Sequence, residues 1–297
     1  MSGGSGWQDM PHRAATTVVR RWDTAWPVQR RELETITAHP EGWADLPRAE
    51  RRPPLLFVPG AGGAAWNYAE HWLGAAVRRG YPAHAMSLRG HGGSAGRQHL
   101  HRAVLRDYVA DVLQATAALP QPPVLIGHGM GAAVVQQVIQ RYPAAAAVLV
   151  APAPMSGTGL VWAQLRRSPA RSVRAALTRR LPIEPELFFC GLDAATGAAY
   201  LRRFGSEAPL VLLQLARQPA IGPVFGPVAV VGCREDAVVS PEEVRHVADV
   251  FGARPIWLPG AGHMVMLDSS HSVGLDIVLD WVDEHLPVDR PATVAVP

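Results

Sequence analysis

Short apolar runs alternate with helix-like patterns along most of the chain, and this alternation constrains the fold more than any other feature. The runs PPLLFVPG, AHAMSLRG, PVLIG, AAAAVLV, PVAVVGC and RPIWL have the length of buried strands. Segments with helical spacing, such as LRDYVADVLQATAALP, lie between them. Apolar strands that alternate with helices are typical of a mostly parallel, doubly wound α/β sheet. Two earlier runs, TTVVRRW and WPVQRRELE, predict an antiparallel edge.

The alternation of apolar, strand-like runs with helix-like segments is interrupted between residues 155 and 223. Pro and Gly divide this stretch into short segments with helical spacing, such as VWAQLRRSPARSVRAALTRRLP. We expect a helical cap over the carboxyl ends of the strands, where such sheets bind ligands. The prediction is one core made of residues 1–154 and 224–297, with a cap of residues 155–223.

Composition excludes several classes of protein. A hydrophobic content of 48% and a charged content of 18% indicate a globular chain. All 28 basic residues are Arg, which excludes Schiff-base catalysis by lysine, and their dispersal argues against nucleic-acid binding. No apolar stretch reaches the length of a membrane span, and the N-terminus lacks the apolar region of a signal peptide, so we expect a cytoplasmic protein. No signal indicates the oligomeric state.

Three loops that follow apolar strands carry candidate chemistry. They are GHGMG around Gly129, CRED with Asp236, and GAGH with His263. The order of glycine-rich turn, acid and histidine resembles that of the α/β-hydrolase family of esterases and lysophospholipases. VLIGHGMG is similar to the family's nucleophile elbow, with Gly129 at the serine position, and FVPGAGG is similar to its oxyanion loop. SLRGHGGS also resembles a loop common in the family.

The resemblance implies a role for each matched position. His263 becomes the general base, Asp236 orients it, and the N–H groups of Ala61 and Met130 form the oxyanion hole. Gly60, Trp66 and His128 would line the substrate site. Asn67 and Trp66 are also explained by an ordinary helix start and a core aromatic residue.

Gly129 cannot form an acyl-enzyme, and loss of the nucleophile costs serine hydrolases on the order of 10⁶ in kcat. Four explanations stay open: chemistry that needs the histidine and the acid but no covalent intermediate, a serine hydrolase disabled by substitution, a binding protein without activity, or a nucleophile supplied by another residue. Glycine tolerates the strained elbow backbone, so the fold does not depend on serine there.

Several other residues compete for roles in the site. Glu235 and Asp268 are alternative acids, although the ordinary interpretation of each is a helix cap or a surface charge. Cys233 lies near a strand end, but a free cysteine is usually a small buried hydrophobic residue. The spacing of His84, His91 and His128 matches no zinc pattern, so we expect no metal, and no motif indicates a cofactor.

The sequence therefore predicts an α/β-hydrolase-fold enzyme without a serine nucleophile. His263 and Asp236 would supply acid–base chemistry of a lyase, cyclase or elimination type. The apolar composition of the cap suggests a small hydrophobic carbonyl substrate. The alternatives are a serine ester or thioester hydrolase inactivated at position 129 and a protein that only binds a small ligand.

Overall fold

The computed structural model describes residues 15–20, 31–152, 185–215, 221–224 and 226–287. The strands within these ranges are β1 (Ala15–Arg20), β2 (Leu33–Ala38), β3 (Leu55–Val58), β4 (Ala83–Met86), β5 (Val124–His128), β6 (Ala146–Val150), β7 (Val228–Cys233) and β8 (Ile256–Leu258). The α-helices are α1 (Trp66–Ala69), α2 (Trp72–Arg78), α3 (Leu105–Thr116), α4 (Met130–Val138), α5 (Pro185–Phe188), α6 (Ala194–Leu201), α7 (Pro209–Leu215), α8 (Pro241–Val250) and α9 (His271–His285).

One sheet contains all eight strands of the described ranges, in the order β1-β2-β4-β3-β5-β6-β7-β8. The strands from β3 to β8 run parallel, while β2 is antiparallel to both of its neighbours. Every residue of β3, β5 and β6 is buried, as expected for parallel strands covered on both faces. The mostly parallel α/β sheet predicted from the sequence is confirmed.

Helices cover both faces of the sheet. One apolar cluster joins α3, α4 and α8 to the sheet through side chains that include Tyr108, Val135 and Val244. The other joins α2 and α9 to the opposite face, with Trp72 and Leu275 among its buried members. Because the strands are parallel, the loops after β3, β5, β7 and β8 meet at one edge of the sheet. Those loops carry the residues selected from the sequence.

Two local predictions were wrong. The second edge strand begins at Leu33, later than the run WPVQRRELE suggested, and residues 26–30 of that run lie outside the described residues. Its β-branched stretch Thr35–Thr37 suits a strand paired on both sides. The segment NYAEHWLGAAVRRGYP, after the oxyanion loop, has the spacing of one helix, but it forms two, because the non-helical backbone of His71 separates α1 from α2. The break lets Trp72 enter the core, where its indole N–H donates to the His271 carbonyl at 2.7 Å.

The described part of the expected cap contains α5, α6 and α7. Residues 155–184 and 216–220, which the prediction also placed in the cap, lie outside the described residues. The division into core and cap therefore stays a prediction. Across the described ranges, no helix combines the length and the apolar character needed to cross a membrane.

Candidate active site

The turn between β5 and α4 has the backbone of a strained elbow. Gly129 has φ 53° and ψ −119°, a region that side chains with a Cβ rarely adopt. Its N–H donates to the Val150 carbonyl of β6 at 3.0 Å, which fixes the turn to the sheet. Gly131 is needed for a different reason, since a Cβ there would lie 2.4 Å from the Pro59 carbonyl oxygen. The elbow therefore packs directly against the loop that follows β3.

His263 and Asp236 form a hydrogen-bonded pair. The Nδ1 of His263 lies 2.9 Å from Asp236 Oδ2, and the two side chains are 8% and 2% exposed. The other carboxylate oxygen, Oδ1, accepts the N–H groups of Val238 and Val239 at 2.7 and 2.9 Å. Because its partner is an acceptor, Nδ1 carries the proton and Nε2 keeps a free lone pair. The pair has the arrangement of a general base and the residue that orients it.

The free Nε2 of His263 faces the elbow. A Cβ built on Gly129 would lie 3.5 Å from Nε2 and 3.8 Å from the Gly60 Cα, both ordinary contact distances. A group bonded to carbon at that point is within reach of the base. The structure thus brings together Gly129, His263, Asp236 and Gly60, as predicted from loops far apart in the sequence.

The two predicted oxyanion donors are chain neighbours of residues at this point, since Met130 follows Gly129 and Ala61 follows Gly60. Met130 is the first residue of α4, where N–H groups have no partner within the helix and the helix dipole favours negative charge. Ala61 follows Gly60 in a turn closed by the hydrogen bond from Gly63 N–H to the Gly60 carbonyl at 3.1 Å. Ala61 is exposed. This geometry is compatible with an oxyanion hole, and the role of both N–H groups stays a prediction.

His128 is the last residue of β5, directly before Gly129, and its side chain is buried. Its Nε2 donates to the His263 carbonyl at 2.8 Å, so its Nδ1 is unprotonated, and that atom has no partner among the described residues. Burial, and then the neighbouring His263, lower the pKa of His128 to about 3. A Cβ on Gly60 would come within 2.9 Å of this Nδ1, which explains glycine at position 60. His128 is a neutral support for the His263 backbone.

The alternative acids have other partners. Asp268 is completely buried, and its carboxylate accepts four backbone N–H groups at 2.7–3.0 Å, namely those of Cys190, Gly191, Gly262 and Ser269. The interpretation of Asp268 as a cap or surface charge was therefore wrong, because this carboxylate ties the histidine loop to the segment after α5. Glu235 is exposed and accepts the Ala261 N–H at 3.0 Å. Asp236 alone of the three is hydrogen-bonded to the His263 ring.

Aromatic residues surround the edge of the site. Trp66 stacks on Tyr200, meets Phe204 edge-on, and has the Arg203 guanidinium 3.7 Å from its ring centroid. Trp66 therefore packs against the segment that contains α6. The contact of Trp66 with a substrate stays a prediction. Phe188 lies edge-on to the His263 ring, with a centroid distance of 5.7 Å. Sequence reasoning missed Phe188, because only its aromatic type within an apolar run marks it.

The cysteines are poor candidates for a nucleophile. Burial, and then the nearby carboxylates Asp236, Asp268 and Glu235, raise the pKa of Cys233 well above its usual range. The pKa of the exposed Cys190 is also raised, by desolvation and then by Asp268 and Glu235. Both therefore favour the unreactive thiol over the thiolate.

A cavity of about 430 Å³ beside Cys190 is lined by Glu186, Asp193 and Glu235 but not by His263 or Gly129.

No set of three or more His, Cys, Asp or Glu side chains within the described ranges is arranged to hold a metal ion.

Residues 55–273 match the sequence model of the α/β-hydrolase family. The chain belongs to the α/β-hydrolase family. No curated protein sequence matches it. Several solved structures have the same fold as this chain, although their sequences are only distantly similar to it.

One such structure is a proline iminopeptidase-related protein from Thermus thermophilus, which is 24% identical with a TM-score of 0.64; the match covers 91% of this chain and 100% of the other. A soluble variant of monoglyceride lipase from Saccharomyces cerevisiae is 13% identical with a TM-score of 0.68, and the match covers 93% and 98% of the two chains. The thioesterase domain from the curacin biosynthetic pathway is 16% identical with a TM-score of 0.59, over 89% and 99%. At these identities the likeness supports the fold alone.

Proposed function

We propose that this α/β-hydrolase-fold enzyme acts on a small hydrophobic carbonyl compound by acid–base catalysis, without a covalent serine intermediate. His263 is the general base and acid, and Asp236 orients its ring. The N–H groups of Met130 and Ala61 bind the substrate carbonyl oxygen. Gly129 leaves room for the reacting carbon beside His263.

One observation carries the proposal. The Nε2 atom of His263 lies 3.5 Å from the position that a Cβ of residue 129 would occupy, and residue 129 has no side chain. The Asp236 carboxylate that holds the opposite ring nitrogen is itself fixed by two backbone N–H groups. The base is therefore pre-oriented toward a substrate atom instead of a protein nucleophile. Pre-orientation of this kind is what general base catalysis requires.

The proposed step is removal of a proton from the carbon next to the carbonyl group. The C–H bond breaks, the proton moves to His263 Nε2, and the electron pair becomes an enolate whose negative charge lies on the carbonyl oxygen. The oxyanion donors stabilise that oxygen, and the Asp236 carboxylate stabilises the imidazolium. His263 then returns the proton to the product carbon or to a leaving group.

Deuterium uptake tests this step without knowledge of the natural substrate. The protein is incubated in D₂O with a panel of 2-alkanones and β-keto thioesters, and exchange at the carbon next to the carbonyl is followed by NMR. We expect the chain with Gly129 to accelerate exchange above the rate without protein, and we expect a loss of about 10²–10⁴-fold in His263→Ala. His285→Ala, at the exposed end of α9, is the matched control and keeps full activity. A protein that only binds a ligand would give no uptake above the rate without protein in any of the three.

The second candidate is a serine ester or thioester hydrolase that is inactive because residue 129 is glycine. The ordinary contact distances around the Cβ position favour it, since a serine there meets no steric barrier. The test is Gly129→Ser, measured with p-nitrophenyl esters and a fluorophosphonate probe. Labelling and turnover in Gly129→Ser, with no catalysed deuterium uptake by the chain with Gly129, would favour this candidate over the acid–base enzyme.

A further inference from the structure

A buried carboxylate joins the segment between α6 and α7 to the oxyanion loop. Glu207 is 6% exposed at its side chain, and its Oε2 accepts the Gly62 N–H at 2.9 Å. Its Oε1 accepts the Tyr108 hydroxyl at 2.5 Å and the Ala208 N–H at 2.6 Å. The Nε2 of His91 lies 3.3 Å from Oε2. Sequence analysis did not select Glu207, since no local pattern marks it.

The same segment holds Gly62 from its other side. The Gly205 N–H donates to the Gly62 carbonyl at 2.8 Å, so both backbone polar groups of Gly62 bond to the Gly205–Ala208 segment. Gly62 has φ 68°, as the third residue of a type II turn requires, and a Cβ on it would lie 2.7 Å from the Gly205 carbonyl oxygen. This contact fixes the orientation of the peptide that follows Ala61. The peptide that carries the Ala61 N–H also contains the Gly60 carbonyl, which accepts the Gly63 N–H at 3.1 Å in the same turn, so holding Gly62 holds both peptides.

His91 completes the network from the SLRGHGGS loop. Its Nδ1 donates to the Arg89 carbonyl at 3.1 Å, and Arg89 forms a buried ion pair with Asp111 at 2.7 Å. Burial lowers the pKa of His91, but the nearby Glu207 carboxylate outweighs burial and raises the pKa overall. Burial likewise raises the pKa of Glu207, but His91, Tyr108 and the Ala208 N–H lower it overall. The carboxylate therefore stays ionised and accepts strong hydrogen bonds.

We infer that Glu207 is a positioning residue that holds the Gly60–Gly63 turn and thereby aims the Ala61 N–H at the reacting carbonyl oxygen. The inference rests on the proposed function for the role of Ala61. The contact between Glu207 and Gly62 can be measured with no substrate at all, which separates the two questions.

The sequence offers a selective probe of this contact. Only three glycines follow an alanine, in Ala61-Gly62, Ala95-Gly96 and Ala261-Gly262. Labelling with ¹³C-carbonyl alanine and ¹⁵N glycine therefore gives three signals in an HNCO spectrum. Gly262 is an internal reference, because its N–H donates to the carboxylate of Asp268 at 3.0 Å.

In Glu207→Gln we expect the Gly62 amide proton to move upfield and its hydrogen exchange to accelerate by about tenfold or more, because a charged acceptor is lost. The Gly96 and Gly262 signals should stay in place. The matched control is Glu70→Gln, which removes a different contact with the α6 region, the Arg203 ion pair at 3.0 Å. It should move none of the three. An unchanged Gly62 signal in Glu207→Gln overturns the inference.

Tyr108→Phe is a second variant that decides the question if Glu207→Gln does not fold. Loss of the hydroxyl donor leaves more negative charge for the remaining donors, so the Gly62 proton should move downfield, opposite to its shift in Glu207→Gln. A Gly62 signal at its original position in Tyr108→Phe counts against the network. A merely structural role would not give shifts of opposite sign.

The catalytic consequence is measured in the Gly129→Ser chain with the fluorophosphonate probe and p-nitrophenyl esters. Adding Glu207→Gln should slow labelling and lower kcat by about 10–100-fold, less than complete loss of an oxyanion donor, with a smaller change in KM. Adding Glu70→Gln should change neither. A shifted Gly62 signal with unaltered labelling refutes the role in positioning Ala61. If Gly129→Ser itself is inert, the hydrolase candidate fails, and the NMR arms still decide the Glu207 contact.

Discussion

The left-handed backbone of Gly129 predicts a measurable cost for any side chain at the elbow. Its φ of 53° and ψ of −119° cost other residues about 1–3 kcal/mol. No clash adds to this cost, because the nearest atom to a Cβ is His263 Nε2 at 3.5 Å. Alanine also restricts the unfolded chain, which offsets about 0.4–1 kcal/mol. Gly129→Ala should therefore lower the free energy of unfolding by about 1–2 kcal/mol.

Two other glycines separate strain from steric clash. Gly252, at the end of α8, has φ 61° with nothing within 4 Å of its Cβ position, so Gly252→Ala carries strain alone. Gly131→Ala would place its Cβ 2.4 and 2.5 Å from two carbonyl oxygens of β3 and its loop, and should cost more than about 3 kcal/mol. The expected order of destabilisation places Gly131→Ala first, with Gly129→Ala close to Gly252→Ala.

Urea unfolding followed by far-UV circular dichroism measures all three variants. For a chain of this length the expected loss in Gly129→Ala corresponds to a fall in Tm of about 2–3 °C. A Gly129→Ala variant more stable than the unsubstituted chain would refute the reasoning, because the elbow would then not be held in the left-handed region. Glycine at position 129 would in that case have no backbone explanation.

Two further predictions concern stability. His128 is neutral when folded with a pKa of about 3, and its unfolded value is near 6.5, so its contribution is complete above about pH 6.5 and is lost as pH falls. At pH 5 the free energy of unfolding should be about 2 kcal/mol lower for this reason. The free energy from urea unfolding between pH 5 and 7.5 should therefore depend less on pH in His128→Gln than in the exposed control His99→Gln. Asp268→Asn leaves buried N–H groups without an acceptor and should cost about 2–5 kcal/mol by urea unfolding, whereas Asp280→Asn on the surface of α9 should cost less than about 1 kcal/mol. Equal losses in the last two variants would contradict the role of Asp268 as an acceptor for four N–H groups.

The strands were predictable because their signal is local. Each buried parallel strand is a continuous apolar run bounded by turn residues. The observed β3, β6, β7 and β8 fall inside the predicted runs, and β5 extends one residue past its run, to His128. Strand β2, next to the edge strand β1, was misplaced because its pattern is mixed and its pairing with β4 decides its bounds. The break between α1 and α2 was missed for a similar reason, since burial of Trp72 depends on the distant α9.

The sequence by itself determined that candidate acid, base and elbow loops lie at one edge of a parallel sheet, because each loop follows an apolar strand. It also determined that residue 129 supplies no nucleophile, since glycine has no side chain in any fold. Only the tertiary structure decided which carboxylate meets His263. Asp236, Glu235 and Asp268 are all close in sequence to a site loop, but the paths of the loops after β7 and β8 bring Asp236 alone to the imidazole.

Only the tertiary structure also placed Glu207 on Gly62, across 145 residues of chain. No local pattern encodes such a contact, because it depends on how the chain returns from α6 to the edge of the sheet.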